Sequence, residues 1–290
     1  MKNWHKLQDR ILLLLTKVVG EKFFKTSIET ADFEDHIAAV DFDLPDITGL
    51  GEHHLKVQSL QGQVETSFKV LKWTGPEAPT VIYHQGGAEI PYYYTAARMY
   101  PEDMETPYNV IAVRAPFQQT HKEMKVAFRH LSNYLTMMAI PVVMTEKLIT
   151  SASLKGGVKI VSGYSLGGFV TNRHHMMYDT AEAYVPFMAG TCHGDIFLTT
   201  VPASKIAVAQ PDYIRQKLNF DAEWQKKKHP NVFPVLGEKD LLNKLEMQLP
   251  SYGDMPVDIW EGAHMYGVIR PHLIREKIEY HLKECSSPSA

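Results

Sequence analysis

The chain has 290 residues, of which 44% are hydrophobic and 22% charged, a composition typical of globular proteins with a large core. Its length is compatible with one large domain or two smaller ones. The formal net charge of −3 and the pI of about 6.5 argue against nucleic acid or an anionic membrane surface as a partner, because such partners favour basic surfaces.

The N-terminal segment contains a short apolar run, "ILLLL", at 11–15. Lys17 follows it closely and no small-residue cleavage site comes after it, which argues against a secretory signal and favours an amphipathic helix. No segment reaches the ~18 apolar residues that a membrane-spanning helix needs. Cys192 and Cys285 lie far apart and outside any metal-ligand spacing, which favours free thiols. We therefore expect a cytoplasmic protein with no membrane span.

The strand pattern changes character along the chain. "HIAAVDFDLP" (36–45) and "GQVETSFKVLKW" (62–73) alternate apolar and polar residues, which predicts antiparallel strands with one exposed face. Beyond them, the strand candidates are continuous apolar runs, typical of strands that are buried on both faces. These runs lie at 79–84, 109–115, 157–163, 183–190, 231–237 and 255–260.

Amphipathic stretches of helical length separate these runs. They lie at 90–100, 119–150, 166–180, 205–228, 240–249 and 267–284. Pro141 should break or kink the second of them. The alternation of strand and helix predicts an α/β fold with a mostly parallel central sheet flanked by helices.

The domain organisation follows from the same pattern. We expect a single domain over 1–290, in which 1–60 supply the N-terminal helix and the first strand. The stretch 191–230 is longer than one crossover connection needs, so we predict a small helical cap insertion there.

A single serine stands between glycines where one buried run ends. In "KIVSGYSLGGFVTN" (159–172), Ser165 follows β-branched residues and precedes a helical stretch. A strand, a sharp turn and a helix are the context of the G-x-S-x-G nucleophile elbow. Gly163 and Gly167 fit this turn because side chains there would collide with the neighbouring strand and helix. The Leu166 N–H, at the positive end of the helix, is then a predicted oxyanion donor.

A serine hydroxyl needs a base to become a nucleophile, and the base needs an acid to orient it. In this architecture both follow the serine, in the order serine, acid, histidine. "NVFPVLGEKD" ends at Asp240 and "VDIWEGAHMYG" contains His264, which we predict to be the acid and the base. Asp195, after the preceding strand, competes for the role of the acid, and Glu238 and Asp258 are further acids nearby.

A second oxyanion donor should come from "YHQGGAEIPYYY", which follows the third predicted strand. Gly86 and Gly87 let the backbone approach a substrate oxygen closely, and either N–H is a candidate. We predict Gln85, Tyr92 and Tyr164 as substrate-binding residues. Helix packing is the alternative for the tyrosine run that begins at Tyr92.

Together these motifs resemble the α/β-hydrolase superfamily. The resemblance rests on "GYSLGG" at the elbow, "HQGG" after the third strand, "LGEKD" for the acid and "GAHMYG" for the histidine, and covers about residues 62–284. Gln85 stands where lipases and esterases of the "HGGG" type have a glycine, so the choice between Gly86 and Gly87 stays open. A serine at the elbow argues against the members that open epoxides or displace halide, which have aspartate there.

Other chemistries find little support in the sequence. H-E-x-x-H, C-x-x-C, P-loop and G-x-G-x-x-G motifs are missing from the chain. The pairs His53-His54 and His174-His175 are poor metal ligands, because neighbouring residues on a strand or helix point apart. We therefore predict that the protein has no metal site and no cofactor.

The leading hypothesis is a serine hydrolase that cleaves a carboxylic ester or thioester through an acyl-enzyme. Peptide or amide cleavage and acyl transfer are compatible with the same triad. A non-catalytic binding protein on a hydrolase fold is the alternative from another class. Aromatic residues in 191–230 suggest a small-molecule substrate with an apolar portion.

Overall fold

The computed structural model describes residues 22–287, and the predicted N-terminal helix lies outside them. Within this range eight strands form one sheet in the order β1-β2-β4-β3-β5-β6-β7-β8. The strands are β1 (Gly51–Ser59), β2 (Gly62–Lys72), β3 (Thr80–His84), β4 (Asn109–Arg114), β5 (Lys159–Tyr164), β6 (Ala183–Phe187), β7 (Val235–Gly237) and β8 (Asp258–Trp260).

The sheet is mostly parallel. β1 and β2 pair antiparallel, and β2 pairs antiparallel with β4. All the remaining neighbours, from β4 across to β8, pair in parallel. Every residue of β3, β4, β5 and β6 is buried, whereas exposed residues recur along β1. The predicted α/β fold class is confirmed.

Helices cover both faces of this sheet. They are α1 (Phe33–Ala38), α2 (Tyr94–Met99), α3 (His121–Arg129), α4 (Leu131–Ile149), α5 (Leu166–Met177), α6 (His193–Thr199), α7 (Lys205–Val208), α8 (Pro211–Leu218), α9 (Asp221–Trp224), α10 (Leu245–Gln248), α11 (Tyr266–Ile269) and α12 (Pro271–Ser286). Short 3₁₀ turns lie at Ala152–Leu154 and Leu249–Tyr252. One core cluster includes residues of α4 and α5, and a second includes residues of α2 and α12.

Most of the predicted strand at 36–45 is absent, and only Asp41 forms an isolated antiparallel bridge, to Gln58 of β1. The structure places α1 over its first residues, and the edge strand is β1 instead. Phe33, His36 and Ile37 are buried together, a spacing that suits one face of a helix. The buried His36 ring lies between the hydroxyls of Thr30 and Thr136, at 2.9 and 3.0 Å. The apolar–polar alternation comes from 40–43, which follow the helix and do alternate buried and exposed side chains without forming a strand.

A break at Pro141, one of the two predicted effects of this proline, does not occur. α4 continues through Pro141, and the break between α3 and α4 falls at His130, whose backbone is extended. A proline inside a helix costs about 3 kcal/mol. Because 14 of the 19 residues of α4 are buried, packing outweighs that cost.

The stretch 191–230 contains the four short helices α6 to α9. It packs against α5, where Arg173 Nη2 donates a hydrogen bond of 3.0 Å to the Leu218 carbonyl. The Arg173 guanidinium lies 4.1 Å from the centre of the Phe220 ring and 4.4 Å from that of Phe33. These contacts fix the stretch to α5, and Arg173 also joins α5 to α1. Its function as a cap, and the single-domain organisation, stay predictions.

No helix within residues 22–287 has the length and apolar character needed to cross a membrane. Over the same residues, no group of three or more histidine, cysteine or acidic side chains could hold a metal ion.

The core contains several histidines that burial holds in the neutral form. Burial lowers the pKa of His84 and of His193 to about 3. It lowers the pKa of His36, His175 and His281 to about 4. The unfolded chain titrates these groups near their usual pKa of about 6.5, so it binds more protons than the folded chain below that pH.

We predict that the free energy of unfolding falls steadily as the pH drops through about 6.5 toward 4, because the unfolded chain then binds protons that these histidines do not bind in the folded chain. Urea unfolding followed by circular dichroism at a series of pH values measures this. His281→Phe is the matched variant, because the His281 ring stacks on Phe233 at 3.8 Å. In this variant, the proton uptake on unfolding that sets the slope of the free energy of unfolding against pH should be smaller by about one proton. Equal stability at pH 7 and pH 5 would contradict the prediction.

Candidate active site

Ser165 makes the turn between β5 and α5 on its own. Its backbone has φ 55° and ψ −112°, a conformation that residues other than glycine rarely adopt. Its N–H donates to the Phe187 carbonyl at 2.8 Å, and its carbonyl accepts from the Phe169 N–H at 3.1 Å. The turn is therefore the strained strand-to-helix elbow that the sequence predicts.

The glycines around Ser165 allow backbone atoms to touch. A Cβ on Gly163 would collide with the Gly167 backbone, whose Cα would be 2.9 Å away. A Cβ on Gly167 would collide with the His84 carbonyl and lie 2.7 Å from the Gln85 oxygen. Both distances are shorter than real Cβ atoms show. Any side chain at these positions would push α5 away from β3 and β5.

A line of hydrogen bonds joins the three predicted triad residues. His264 Nε2 lies 2.9 Å from Ser165 Oγ, and His264 Nδ1 lies 2.7 Å from Asp240 Oδ2. The other oxygen of Asp240 accepts the N–H groups of Leu242 and Asn243, each at 2.8 Å. Asp240 and His264 are each only 4% exposed. With the proton on Nδ1 facing the carboxylate, Nε2 can accept the hydroxyl proton.

The competing acids are bound to other groups. Asp195 lies in α6 and accepts from Arg215 Nε and Asn219 Nδ2, both at 2.8 Å. Glu238 forms an ion pair with Lys239, and Asp258 forms one with Lys277. Asp240 is thus the acid that the structure brings to the histidine.

Asp240 does not begin a helix, although 240–249 is a predicted one. The carboxylate instead closes a turn through its bonds to Leu242 and Asn243. Helical structure starts only at α10, five residues later. The turn lets one carboxylate hold its own loop and the histidine together.

Tyr164 supports the histidine from inside the fold. Its hydroxyl donates to the His264 carbonyl at 2.6 Å and accepts from the Gly267 N–H at 3.1 Å. The side chain is 1% exposed, which argues against its predicted contact with substrate. The sequence gives no signal for this supporting role, because the partners are backbone groups about 100 residues away.

The loop after β3 is held by buried amides. Gln118 Nε2 donates to the Gly87 carbonyl at 2.8 Å, and Gln85 Nε2 donates to Gln118 Oε1. Gln85 and Gln118 are both buried. Gln85 therefore supports the loop, a different role from the predicted substrate contact. Gln118 was missed by the sequence analysis, since a lone glutamine in a loop carries no motif.

The backbone N–H groups of this loop differ in their partners. The Gly86 N–H donates to Glu89 Oε2 at 3.3 Å. No acceptor faces the N–H groups of Gly87 and Leu166 anywhere in residues 22–287. Gly87 lies beside the helix start, since a Cβ built on it would be 3.6 Å from Leu166 Cβ. Gly87 and Leu166, which carry these two open N–H groups, thus lie next to each other near the elbow.

Tyr92 packs against the antiparallel part of the sheet. Its hydroxyl donates to Glu52 Oε1 at 3.1 Å, and the Arg114 guanidinium lies 5.9 Å from the centre of its ring. The side chain is buried. These contacts favour the packing alternative over the predicted contact with substrate.

Solved structures of other proteins share this architecture. The acetyl xylan esterase from Paenibacillus sp. R4 has a TM-score of 0.58 at 10% identity, over 89% of this chain and 97% of that one. The esterase Pf2001 from Pyrococcus furiosus has a TM-score of 0.52 at 15% identity, over 92% of this chain and 99% of that one. Both are members of the α/β-hydrolase superfamily. The chain has the α/β-hydrolase fold.

A larger structure shares this α/β-hydrolase fold. The acylaminoacyl peptidase from Pyrococcus horikoshii has a TM-score of 0.53 at 13% identity, over 82% of this chain and 41% of that one. The chain therefore spans about two-fifths of the length of that peptidase. No family model matches the chain, and no curated protein matches its sequence. At these identities the likeness establishes the fold, while function has to be argued from the site.

We predict that Gly167→Ala lowers the free energy of unfolding by about 1–3 kcal/mol, because its Cβ would meet backbone that cannot move aside. Gly49→Ala is the matched control, since a Cβ there has nothing within 4 Å. Urea unfolding of both variants measures the difference. Equal stability of the two variants would show that α5 can shift to accept a side chain.

Proposed function

We propose that the protein is a serine hydrolase that cleaves a carboxylic ester or thioester. The observation that carries the proposal is the line from Ser165 Oγ through the His264 ring to Asp240, with distances of 2.9 and 2.7 Å. A strained elbow presents the serine, and two open N–H groups lie beside it. The structures with the same fold include two enzymes named as esterases and one as a peptidase, which supports hydrolysis as the reaction class.

The proposed reaction begins with proton transfer. His264 Nε2 takes the hydroxyl proton as Ser165 Oγ attacks the carbonyl carbon of the substrate. The carbonyl oxygen becomes an oxyanion, which accepts hydrogen bonds from Leu166 and from Gly86 or Gly87. His264 then gives its proton to the leaving alcohol or thiol, and an acyl-enzyme remains on Ser165. A water molecule, activated by the same histidine, releases the acid and restores the serine.

Asp240 serves this reaction through its burial and its hydrogen bonds. Two backbone N–H groups and the His264 ring bind the carboxylate, so it is held in one orientation. A negative charge at 2.7 Å from Nδ1 stabilises the imidazolium that forms during attack. It also keeps the proton on Nδ1, so that Nε2 is free to act as the base.

The proposed substrate is a small ester or thioester with an apolar portion. The aromatic residues that suggested the apolar portion are largely used for packing. Phe197 packs against Phe24 and Tyr134, and Trp224 stacks on His229 at 3.8 Å. A panel of esters, thioesters and peptide amides with increasing acyl length therefore has to identify the preferred class.

We predict that a fluorophosphonate forms one covalent adduct with the purified protein, and that Ser165→Ala abolishes it. The same variant should lower kcat on the best substrate of the panel by about 10⁴-fold or more, because the nucleophile is lost. Intact mass spectrometry and steady-state kinetics measure the two effects. Ser287→Ala, at an exposed position, serves as the control and should behave as wild type. An adduct or near-normal turnover in Ser165→Ala would refute the proposal.

We predict that Asp240→Asn lowers kcat by about 10²–10⁴-fold, because the amide no longer stabilises the imidazolium and disfavours the required tautomer. Asp195→Asn is the matched control. The wild-type Asp195 carboxylate binds Arg215 and Asn219, away from His264, so this variant should keep kcat within about twofold of the wild-type value. Kinetics on the same substrate compare the two variants. A damaging Asp195→Asn with a silent Asp240→Asn would contradict the prediction and identify Asp195 as the acid.

A further inference from the structure

The carboxylate of Glu89 joins two backbone segments beside the elbow. Oε2 accepts the Gly86 N–H at 3.3 Å, and Oε1 accepts the N–H of Thr95, the second residue of α2. The Glu89 N–H in turn donates to the Gly86 carbonyl at 3.3 Å. One side chain thus closes the turn over 86–89 and ties it to the start of α2.

Glu89 lies in an unusual place for a carboxylate. It is partly buried and close enough to Tyr83 to interact with it electrostatically, and the Tyr83 hydroxyl is buried without a hydrogen-bond partner in the described part of the chain. Arg98 on α2 is the cation that faces it. Burial raises the pKa of Glu89 to about 7. Above that pH its two bonds to backbone N–H groups are charge-assisted and correspondingly stronger.

The contacts of Glu89 also distinguish the two candidate glycines. The Gly86 N–H is directed at Glu89, whereas the Gly87 N–H is open and lies beside Leu166. Gln118 fixes the Gly87 carbonyl from the opposite side. The peptide that carries the Gly87 N–H is therefore held between a carboxylate and an amide.

We propose that Glu89 is a positioning residue, which holds the loop after β3 so that the N–H groups of Gly87 and Leu166 together face the oxyanion. The inference rests on the proposed function. Glu89 does not contact the reacting atoms and acts through the Gly86 peptide. The loop holds two glycines in succession, so without Glu89 its backbone could adopt several conformations and the Gly87 N–H would have no fixed position.

Two variants of the full chain test this role at pH 8, where the wild-type carboxylate is ionised. Glu89→Gln keeps the shape but offers one acceptor oxygen in place of two, and Glu89→Ala removes both. We expect kcat to fall about 10-fold and about 10²-fold respectively, with KM within about twofold. Glu65→Gln, on the exposed side of β2, is the control and should retain the wild-type kcat.

A pair of substrates separates positioning from a general structural effect. A thiono ester has sulfur in place of the carbonyl oxygen, and sulfur accepts hydrogen bonds from an oxyanion hole poorly. We expect the preference for the oxo ester over its thiono analogue to fall in Glu89→Ala by the same factor as kcat. Thermal melts of each variant verify folding before the kinetics are compared.

Unchanged kcat in Glu89→Ala would overturn the inference, and so would equal losses on the oxo and thiono esters. A wild-type protein with neither turnover nor a fluorophosphonate adduct at Ser165 would refute the proposed function itself. An active wild type with unaffected Glu89 variants would refute only the positioning role.

Discussion

The site depends on direct contact between the first turn of α5 and the ends of β3 and β5. Gly163 and Gly167 leave no side chain between these backbone segments, so the helix starts against the strand carbonyls. Ser165 accepts a strained conformation because both neighbours are fixed. The loops that carry His264 and Asp240 and the loop after β3 are then arranged around Ser165.

A common principle connects the residues that support the site. Tyr164 binds the His264 carbonyl, Asp240 binds two N–H groups of its own loop, and Gln118 binds the Gly87 carbonyl. Each side chain therefore fixes a loop by bonding to its backbone groups. Backbone groups are the same in every residue type, so these bonds do not depend on which side chains the loop carries. Buried hydrogen bonds of this kind restrict motion because breaking one leaves a polar group without water.

Much of this arrangement follows from the sequence, because strong local patterns determine it. Continuous apolar runs identify the buried parallel strands, and the glycine spacing around Ser165 identifies the elbow. The order of the motifs then selects Asp240 and His264. Weaker or conflicting patterns mislead, as at 36–45, where an alternating run follows a short helix, and at Pro141, where packing outweighs a local preference. The supporting roles of Tyr164 and Gln118 are invisible, since their partners are distant backbone groups.

The buried guanidinium of Arg173 connects parts of the chain that lie far apart in sequence. It lies in α5, between the rings of Phe33 and Phe220. Burial lowers the pKa of Arg173 to about 10, so it is still cationic at neutral pH. An unshielded cation is costly in the interior, and each ring screens one side of it. α5 therefore reaches its full stability only when α1 and the segment after α8 have both docked, which couples assembly of the candidate site to that of its periphery.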